Sequence, residues 1–229
     1  MTKRFVYCVL FFCAVMPLSA QIIYECDFED AAERSQWVLN PTANDQQKKN
    51  LTNFWNLGAP GHFAPQGQWG LFIGTSENAS ESGYDASKTI ENVAYRELPT
   101  LEEGSYTLTF NWIANCKYGQ EGLYACLVPV DTKTLSGAAA LTMAWFKPSV
   151  LPLSVDTVMH GTSTWAVATC NFRLNVAGQY KLVFMFFSTR GAVVEPAPCV
   201  DNICLFVAGQ CDAPQNVSHT IVDSNVKDK

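Results

Sequence analysis

Three cysteines lie within thirteen residues near the end of the chain, in the segment PCVDNICLFVAGQC. Thiols at this density could form disulfides, bind a metal ion or supply a nucleophile. A zinc site would favour C-x-x-C pairs or nearby histidines. After residue 20 there is no C-x-x-C motif, and the histidines His62, His160 and His219 are not spaced as a ligand set. Disulfides therefore explain the cysteines better than zinc does.

The first twenty residues have the pattern of a secretory signal peptide. Lys3 and Arg4 precede a short apolar run at 5–16, and residues 17–20 resemble a cleavage region. The run is short for a membrane span, so we expect none once this segment is removed; a buried N-terminal helix is the alternative. Export makes disulfides the expected state of the seven remaining cysteines. Because seven is odd, at least one is free or pairs outside this chain.

Composition bounds the class of protein. The chain has 229 residues, of which 48% are apolar and 16% charged, which suits one large globular domain or one domain with a fragment. The formal net charge is -6 and no long basic run is present. Both features argue against nucleic acid as a partner.

Catalytic motifs are not found in the sequence. There is no G-x-S-x-G or H-E-x-x-H pattern. A jelly-roll glycosidase carries two facing carboxylates on its inner strands, yet only Glu121 falls on such a strand, at its start. The other acids are predicted to lie in loops: Glu77, Glu81, Asp85, Glu91, Glu102 and Glu103. We therefore predict a chain that is not an enzyme.

Strand patterns dominate the chain after residue 20. Large residues alternate with polar ones in 104–115, while 178–189 is apolar on both faces and should lie at the centre of a sheet. A hairpin is expected between 104–115 and 121–130, and one or two helical turns within 29–38. The predicted strands are residues 22–28, 69–74, 93–98, 104–115, 121–130, 163–175, 178–189 and 200–207.

Eight short strands with long, uneven loops predict an all-β fold, a two-sheet antiparallel jelly-roll β-sandwich. We assign it residues 21–208, after the signal peptide at 1–20. Its first and last strands should be neighbours. Residues 209–229 are polar and too few to bury a core, so they are predicted to be a tail or the start of another module. Cys211, in that segment, is the candidate for the odd cysteine.

Four segments resemble the jelly-roll modules of bacterial surface proteins: ECDFEDAAERSQW, WGLFIG, LEEGSYTLTFNW and PCVDNICLFV. Across residues 22–217 the chain is similar to the cleaved-adhesin domains of gingipain haemagglutinin regions, and in shape to MAM-like domains and carbohydrate-binding modules. The segment CDAPQNV that follows looks like the opening of a fibronectin type III module. The resemblance implies an adhesin-like or carbohydrate-binding-like domain, secreted or held on the bacterial cell surface.

The resemblance also implies a structural calcium ion between the first and last strands, at Asp27, Glu29 and Asp201. The chemistry of these residues agrees. Asp27 and Glu29 are two positions apart and share one face of a strand, whereas Asp201 interrupts an apolar run, where an unpaired carboxylate is costly. Calcium takes about six to eight oxygen ligands. The alternative is that Asp201 accepts hydrogen bonds from backbone amides, and that Asp27 and Glu29 are solvated.

Neighbouring first and last strands also suggest a disulfide between Cys26 and Cys204. Cys116 and Cys126 are further disulfide candidates. Cys199 and Cys204 lie five positions apart on one strand, so they should face opposite sides and not pair with each other.

Trp145 and Phe146, in the segment MAWFKPS before a proline, are candidates for ligand binding. Aromatic rings stack on sugar faces and anchor protein interfaces; the alternative is that they only pack. The sequence thus favours a secreted, non-catalytic, calcium-stabilised module for binding or adhesion, recognising a glycan or a host or matrix protein. The alternatives are a glycoside-active enzyme of the same fold and a structural spacer.

Overall fold

A computed structural model describes residues 21–59, 67–117, 121–137, 151–152 and 159–208. The predicted signal peptide at 1–20, the predicted tail or module at 209–229, and the aromatic residues Trp145 and Phe146 lie outside these residues. No helix in the described ranges is long and apolar enough to cross a membrane.

The described chain forms eleven strands and two short helices. In chain order they are β1 (Ile22–Cys26), α1 (Ala31–Arg34), β2 (Val38–Leu39), α2 (Asp45–Lys49), β3 (Phe54–Gly58), β4 (Gly70–Gly74), β5 (Ile90–Glu97), β6 (Gly104–Ala114), β7 (Glu121–Pro129), β8 (Leu151–Pro152), β9 (Thr162–Leu174), β10 (Tyr180–Ser188) and β11 (Cys199–Val207).

The strands form two antiparallel sheets. The six-stranded sheet has the order β3-β4-β11-β6-β9, and β1 also pairs with β11; the five-stranded sheet has the order β2-β5-β10-β7-β8. The predicted jelly-roll sandwich is confirmed. The first and last strands are neighbours, as predicted, because β1 runs antiparallel to β11 from Ile22 to Cys26.

Side-chain alternation explains which strand faces form the core. In β6, Tyr106, Leu108 and Phe110 are buried between the sheets. In β10, Phe184 and its alternate neighbours face the same core, while Met185 belongs to a second apolar cluster on the other side of the sheet. β10 lies between β5 and β7 in the middle of the sheet, and its side chains are buried in apolar clusters on both faces.

The predicted hairpin between 104–115 and 121–130 is wrong. β6 lies in the six-stranded sheet and β7 in the five-stranded sheet. Alternation specifies which side chains point inward but not which sheet a strand joins, so both strands satisfy the pattern from opposite sides of the core. No strand is predicted above between residues 28 and 69, yet this segment contains β2, α2 and β3, and it supplies the buried side chains of Trp37 and Trp55 to the core.

A bulge interrupts β11. Asn202 has a φ of 49°, and the pairing of β11 with β6 shifts register between Asp201 and Cys204. Val200 and Ile203 consequently both face the core, although they are three positions apart. Cys199 and Cys204 therefore share the outer side of the six-stranded sheet, and the prediction that they face opposite sides is wrong.

Candidate functional site

The two carboxylate regions of interest are each placed by the pairing of the strands. The first lies where the strand that pairs with β11 changes from β4 to β1. β11 pairs with β4 through Cys199 and Val200, and with β1 through residues 203–206. Asp201 lies between these two pairings. The end of β1 and the start of β4 thus meet beside it, and we call Asp27, Glu29 and Asp201 the carboxylate cluster.

Asp201 is fully buried. Its Oδ1 accepts a hydrogen bond from the backbone N–H of Asn202 at 2.7 Å, whereas its Oδ2 is buried without a partner. Burial first, and then the negative charges of Asp27 and Glu29, raise the pKa of Asp201 to about 7, against the lowering effect of the Asn202 hydrogen bond. A proton or a cation bound to this Oδ2 atom would therefore stabilise the buried carboxyl group.

Glu29 holds the backbone that leads into β4. Its Oε1 accepts hydrogen bonds from the N–H groups of Gln68, at 2.6 Å, and Trp69, at 2.7 Å. Gly67 has a φ of 78°, and a Cβ there would collide with the Glu29 carboxylate. Asp27 accepts a hydrogen bond from the N–H of Glu29 at 3.0 Å. The cluster is therefore partly satisfied by backbone amides, as the alternative interpretation expected for Asp201.

Arg34 lies beside the cluster, and its hydrogen bonds go to backbone carbonyl oxygens. Its Nη1 donates to the carbonyl oxygens of Phe28, at 2.5 Å, and Glu29, at 2.7 Å, and its guanidinium lies 3.8 Å from the ring centre of Trp69. Among the described residues, no three histidine, cysteine or acidic side chains converge as a metal-binding group. A cation at Asp201 would need backbone or solvent oxygens as well.

The predicted disulfides are not formed. Six cysteines fall within the described ranges, and all six are free. Cys26 lies opposite Ile203 and Cys204 lies opposite Glu25, so the two thiols point to opposite sides of the sheet. Cys116 is in the core between the sheets, whereas Cys126 is in the apolar cluster outside the five-stranded sheet.

The described thiols are also poorly suited to act as nucleophiles. Burial raises the pKa of Cys126 to about 12 and that of Cys170 to about 11. Both thiols are therefore protonated at neutral pH, and a thiol is a weak nucleophile in that form.

The second region is the side of the five-stranded sheet that faces away from the core, which we call the outer face. The strand register aligns its side chains in rows across β5, β10 and β7. From one end of the face to the other, the rows are Glu91–Phe187–Gly122, Val93–Met185–Tyr124, Tyr95–Val183–Cys126 and Glu97–Lys181–Val128.

Glu91 is the buried acid of the outer face. It is 1% exposed, its Oε2 has no hydrogen-bond partner, and burial raises its pKa to about 7. Two half-buried aromatic residues lie close by, Phe187 directly opposite and Tyr124 in the next row. Burial, and then the charge of Glu91, raise the pKa of Tyr124. Gly122, across from Phe187, adds no side chain to this end of the face.

Residues 131–137 cross the outer face from the end of β7 to the edge of β5. Lys181 donates to the carbonyl oxygen of Thr132 at 3.2 Å, and its ammonium lies 4.9 Å from the ring centre of Tyr95. Farther along, the N–H of Gly137 donates to the carbonyl oxygen of Glu91 at 2.7 Å. Through Thr132, this crossing segment holds the ammonium group of Lys181 at the end of the outer face that is remote from Glu91.

The carboxylates of the five-stranded sheet do not pair. Glu121 points into the core, where its Oε2 accepts a hydrogen bond from Tyr84 at 2.7 Å, while Glu91 points away from it. Glu97 shares the outer face with Glu91 but lies six positions along the strand, about 20 Å away. Retaining and inverting glycosidases hold their two carboxyl groups about 5–9.5 Å apart. The described part of the outer face offers no such pair.

Sequence reasoning missed Glu91 by placing it in a loop. The polar segment before it delayed the predicted start of the strand to residue 93, whereas β5 begins at Ile90. The missed signal is the alternation of Glu91, Val93 and Tyr95, which extends the pattern of the strand by one outward position. Trp145 and Phe146, the predicted ligand-binding residues, fall outside the described residues.

Comparison with known proteins found no matching family model and no significantly similar curated protein. The chain is similar in structure to the CBM22-1 xylan-binding domain of Paenibacillus barcinonensis Xyn10C, with a TM-score of 0.49 and 9% identity over 82% of this chain and 96% of that one. It is similar to the C-terminal family 22 carbohydrate-binding module of Clostridium thermocellum Xyn10B, with a TM-score of 0.48 and 14% identity over 84% and 96% of the two chains.

A cyclase from Fischerella sp. TAU is about as similar, with a TM-score of 0.46 and 13% identity over 82% of this chain and 97% of that one. At these TM-scores and identities the likenesses carry no argument about ligand or activity. The residues themselves must supply that argument.

Proposed function

We propose that this chain is a non-catalytic carbohydrate-binding module, exported by a bacterium, that binds a glycan on its outer face. The observation that carries the proposal is the orphan carboxylate oxygen of Glu91 beside the half-buried rings of Tyr124 and Phe187. Sugars present apolar ring faces together with hydroxyl donors. Aromatic rings suit the former and a carboxylate acceptor suits the latter. Because Glu91 is 1% exposed, a sugar hydroxyl reaches its oxygen only by displacing the groups that cover it.

Export and the adhesin-like context rest on the sequence. The residues at 1–20 have the signal-peptide pattern, and the resemblance to cleaved-adhesin and fibronectin type III segments favours a module of a larger surface system. The absence of catalysis is supported by the opposite orientations of Glu91 and Glu121. Trp145 and Phe146 remain predicted contacts for the same ligand.

A structural calcium ion at the carboxylate cluster is part of the proposal. Asp201 would hold it through the unpartnered Oδ2, with Asp27, Glu29 and backbone oxygens nearby. Bound there, the doubly charged ion would offset two of the three neighbouring negative charges. Glu29 already fixes the backbone before β4, and β11 is joined to β4 through Cys199 and Val200, next to Asp201.

Affinity electrophoresis through gels that contain soluble polysaccharides tests the glycan proposal. The panel should include xylan, galactan, glucan and mannan, with immobilised matrix proteins assayed in parallel. We expect retardation by at least one polysaccharide and a loss of retardation in Tyr124→Ala. Tyr180→Ala is a matched control, because Tyr180 is also half-buried but lies on the core side of the sheet. If the chain binds matrix proteins and no polysaccharide, its ligand is a protein and the glycan proposal fails.

A further inference from the structure

At Glu91 the backbone is held by hydrogen bonds, while one oxygen of the side chain has none. The N–H group of Gly137 donates to the carbonyl oxygen of Glu91 at 2.7 Å, and the N–H of Val93, two positions on, donates to Ser136 Oγ at 2.9 Å. Oε2 of the Glu91 carboxyl group has no partner, and the residue is 1% exposed. The crossing segment thus fixes the main chain of β5 and leaves one carboxyl oxygen for a proton or for the donor of a ligand.

The other charged residues of the outer face lie far from Glu91. Glu97 and Lys181 are opposite each other, six positions along the strands and about 20 Å away. The crossing segment binds Lys181 at that same remote end, through the carbonyl oxygen of Thr132. The two charged residues of the crossing segment adjoin Thr132 in the chain, and they are Asp131 and Lys133. Their charges therefore lie toward the remote end as well.

The remaining elements around Glu91 leave its charge uncompensated within the described part of the chain. β2 and β3, which also lie against β5, contain no charged residue. On β7 the titratable neighbour is Tyr124, whose own pKa is raised by burial and then by the charge of Glu91. Glu121 points into the core, and Asp201 belongs to the other sheet. Burial is therefore the cause that raises the pKa of Glu91 to about 7.

We infer that the outer face binds an uncharged glycan with Glu91 in its ionised form, and that binding releases the proton that Glu91 holds in the free protein. The inference rests on the proposed function of the outer face. The O–H bond of the Glu91 carboxyl group breaks, and its proton passes to the buffer. A sugar hydroxyl then donates a hydrogen bond to the vacated Oε2 and keeps its own proton, so no covalent bond of the sugar changes.

The sign of the proton change follows from two opposing effects of a ligand on Glu91. Further burial would favour the protonated form, whereas a hydrogen-bond donor favours the ionised form. Because Glu91 is already 1% exposed, a ligand that displaces its present cover removes almost no further water from it. The same ligand supplies the missing partner of Oε2, in a hydrogen bond that is about twice as strong when the acceptor is charged. The donor therefore prevails, and the proton leaves.

The ionised carboxylate also restricts the class of glycan. A uronic acid would bring a second negative charge to Glu91, and like charges in a buried site repel strongly. The ammonium group of Lys181 cannot offset that charge, because it is buried at the remote end, bound to Thr132 and next to the ring of Tyr95. Neutral sugars offer hydroxyl donors and apolar ring faces without this repulsion. The ligand class is therefore a neutral polysaccharide.

Isothermal titration with a neutral hexasaccharide tests the inference. The probe is xylohexaose if xylan retards the chain in the gels, or the corresponding hexasaccharide of galactan, glucan or mannan. Titrations at pH 7 in phosphate and in Tris, whose enthalpies of ionisation differ, count the protons exchanged. We expect the release of about half a proton for each ligand bound, because a group with a pKa of about 7 is half protonated at this pH. The affinity should fall about tenfold between pH 8 and pH 5.

Two variants assign the proton to Glu91. Glu91→Gln should bind more weakly, release no proton and be retarded equally in gels at pH 5 and pH 8. Glu97→Gln is the matched control on the same strand and face, and it should release protons as the wild type does. Infrared difference spectra of the wild type at pH 6 give a second measurement that needs no variant. The band of the protonated carboxyl group should be lost when the hexasaccharide is added.

The outcomes separate this inference from the proposed function. Binding of a neutral hexasaccharide with no proton exchange, or with proton uptake, overturns the inference and leaves the proposed function standing. Proton release that persists in Glu91→Gln overturns it too, as does polygalacturonate that binds at pH 8 as tightly as the neutral polysaccharides. If no polysaccharide retards the chain at any pH from 5 to 8, the proposed function fails and the inference fails with it.

Discussion

Asp201 and Glu91 pose the same electrostatic problem in two regions of the molecule. Each is a buried carboxylate with one oxygen that has no partner, and burial raises the pKa of each to about 7. Their surroundings differ. Asp27 and Glu29 add negative charge beside Asp201, whereas Glu91 has only aromatic and apolar neighbours across its strands.

The difference indicates what each carboxylate can bind. Accumulated negative charge is relieved by a cation, so the carboxylate cluster suits calcium. A single carboxylate beside aromatic rings is relieved by a neutral hydrogen-bond donor, such as a sugar hydroxyl. On the proposed function, the charges around a buried acid, more than its own burial, decide which region would bind calcium and which would bind a glycan.

Calcium should produce the largest effect that separates the two regions. At pH 8, calcium at about 1,000 times its dissociation constant should stabilise the wild type by about 4 kcal/mol, and chelation with EDTA should reverse this. Asp201→Asn should abolish the response, and Glu91→Gln should retain it. Thermal unfolding followed by circular dichroism measures the shift. An equal response in both variants would remove the distinction between the regions.

The pH dependence without calcium should expose both carboxylates at once. Because the folded-state pKa of Asp201 is raised from 3.8 to about 7, the folded protein holds more protons than the unfolded chain between these values. Its contribution to stability is fully present below about pH 4 and is lost as the pH rises through about 7. Glu91 acts with the same sign.

In the chelated protein the free energy of unfolding should therefore fall by about 2 kcal/mol or more between pH 5 and pH 8. Asp201→Asn and Glu91→Gln should each flatten part of this slope, and the double variant should flatten it most. Urea unfolding at a series of pH values gives the slopes. A wild-type stability that rises over this interval would contradict the buried, unpartnered state of both groups.

Removing an aromatic ring from the outer face should have a smaller effect, confined to recognition. Tyr124→Ala should weaken glycan binding about tenfold, or about 1.4 kcal/mol, while the stabilisation by calcium is retained. Isothermal titration with the polysaccharide that binds in the gels gives both affinities. If Asp201→Asn in the presence of calcium weakens binding as much as Tyr124→Ala does, the two regions are not independent.

The smallest expected effect comes from a substitution at Gly67, which tests the backbone support for the carboxylate cluster. Gly67→Ala forces a Cβ into a φ of 78° and against Glu29, so it should cost about 1 kcal/mol of stability and weaken the calcium response. Gly178→Ala is the control, because a Cβ there meets only Tyr180 at 3.7 Å. Urea unfolding with and without calcium measures both. A calcium response that is intact in Gly67→Ala would separate Glu29 from the site.

Sequence reasoning located the elements whose patterns are long. The predicted bounds of β6 and β10 agree with the structure to within about two residues, because a long alternating pattern in β6 and a long apolar run in β10 are both strong signals. The strand pairing places the end of β1 and the start of β4 beside Asp201, but the binding of a metal by Asp27, Glu29 and Asp201 stays a prediction. The sequence could not show which cysteines face each other, because the bulge at Asn202 changes the side of the sheet on which Cys204 lies.

The outer face could not be assembled from sequence for a similar reason. Glu91, Tyr124 and Phe187 come together only through the register of β5, β10 and β7, which the chain does not encode locally. β3 was missed because five residues ending in glycine, within a region rich in turn formers, carry too little periodicity.

The claim that the outer face is the recognition surface is tested most directly by titrating the best polysaccharide ligand into Glu91→Gln and Glu97→Gln at pH 8. The two residues share a strand and a face, and only Glu91 is buried without a partner. We predict that Glu91→Gln binds at least about tenfold more weakly, and that Glu97→Gln binds as the wild type does. Wild-type affinity in Glu91→Gln would contradict the assignment.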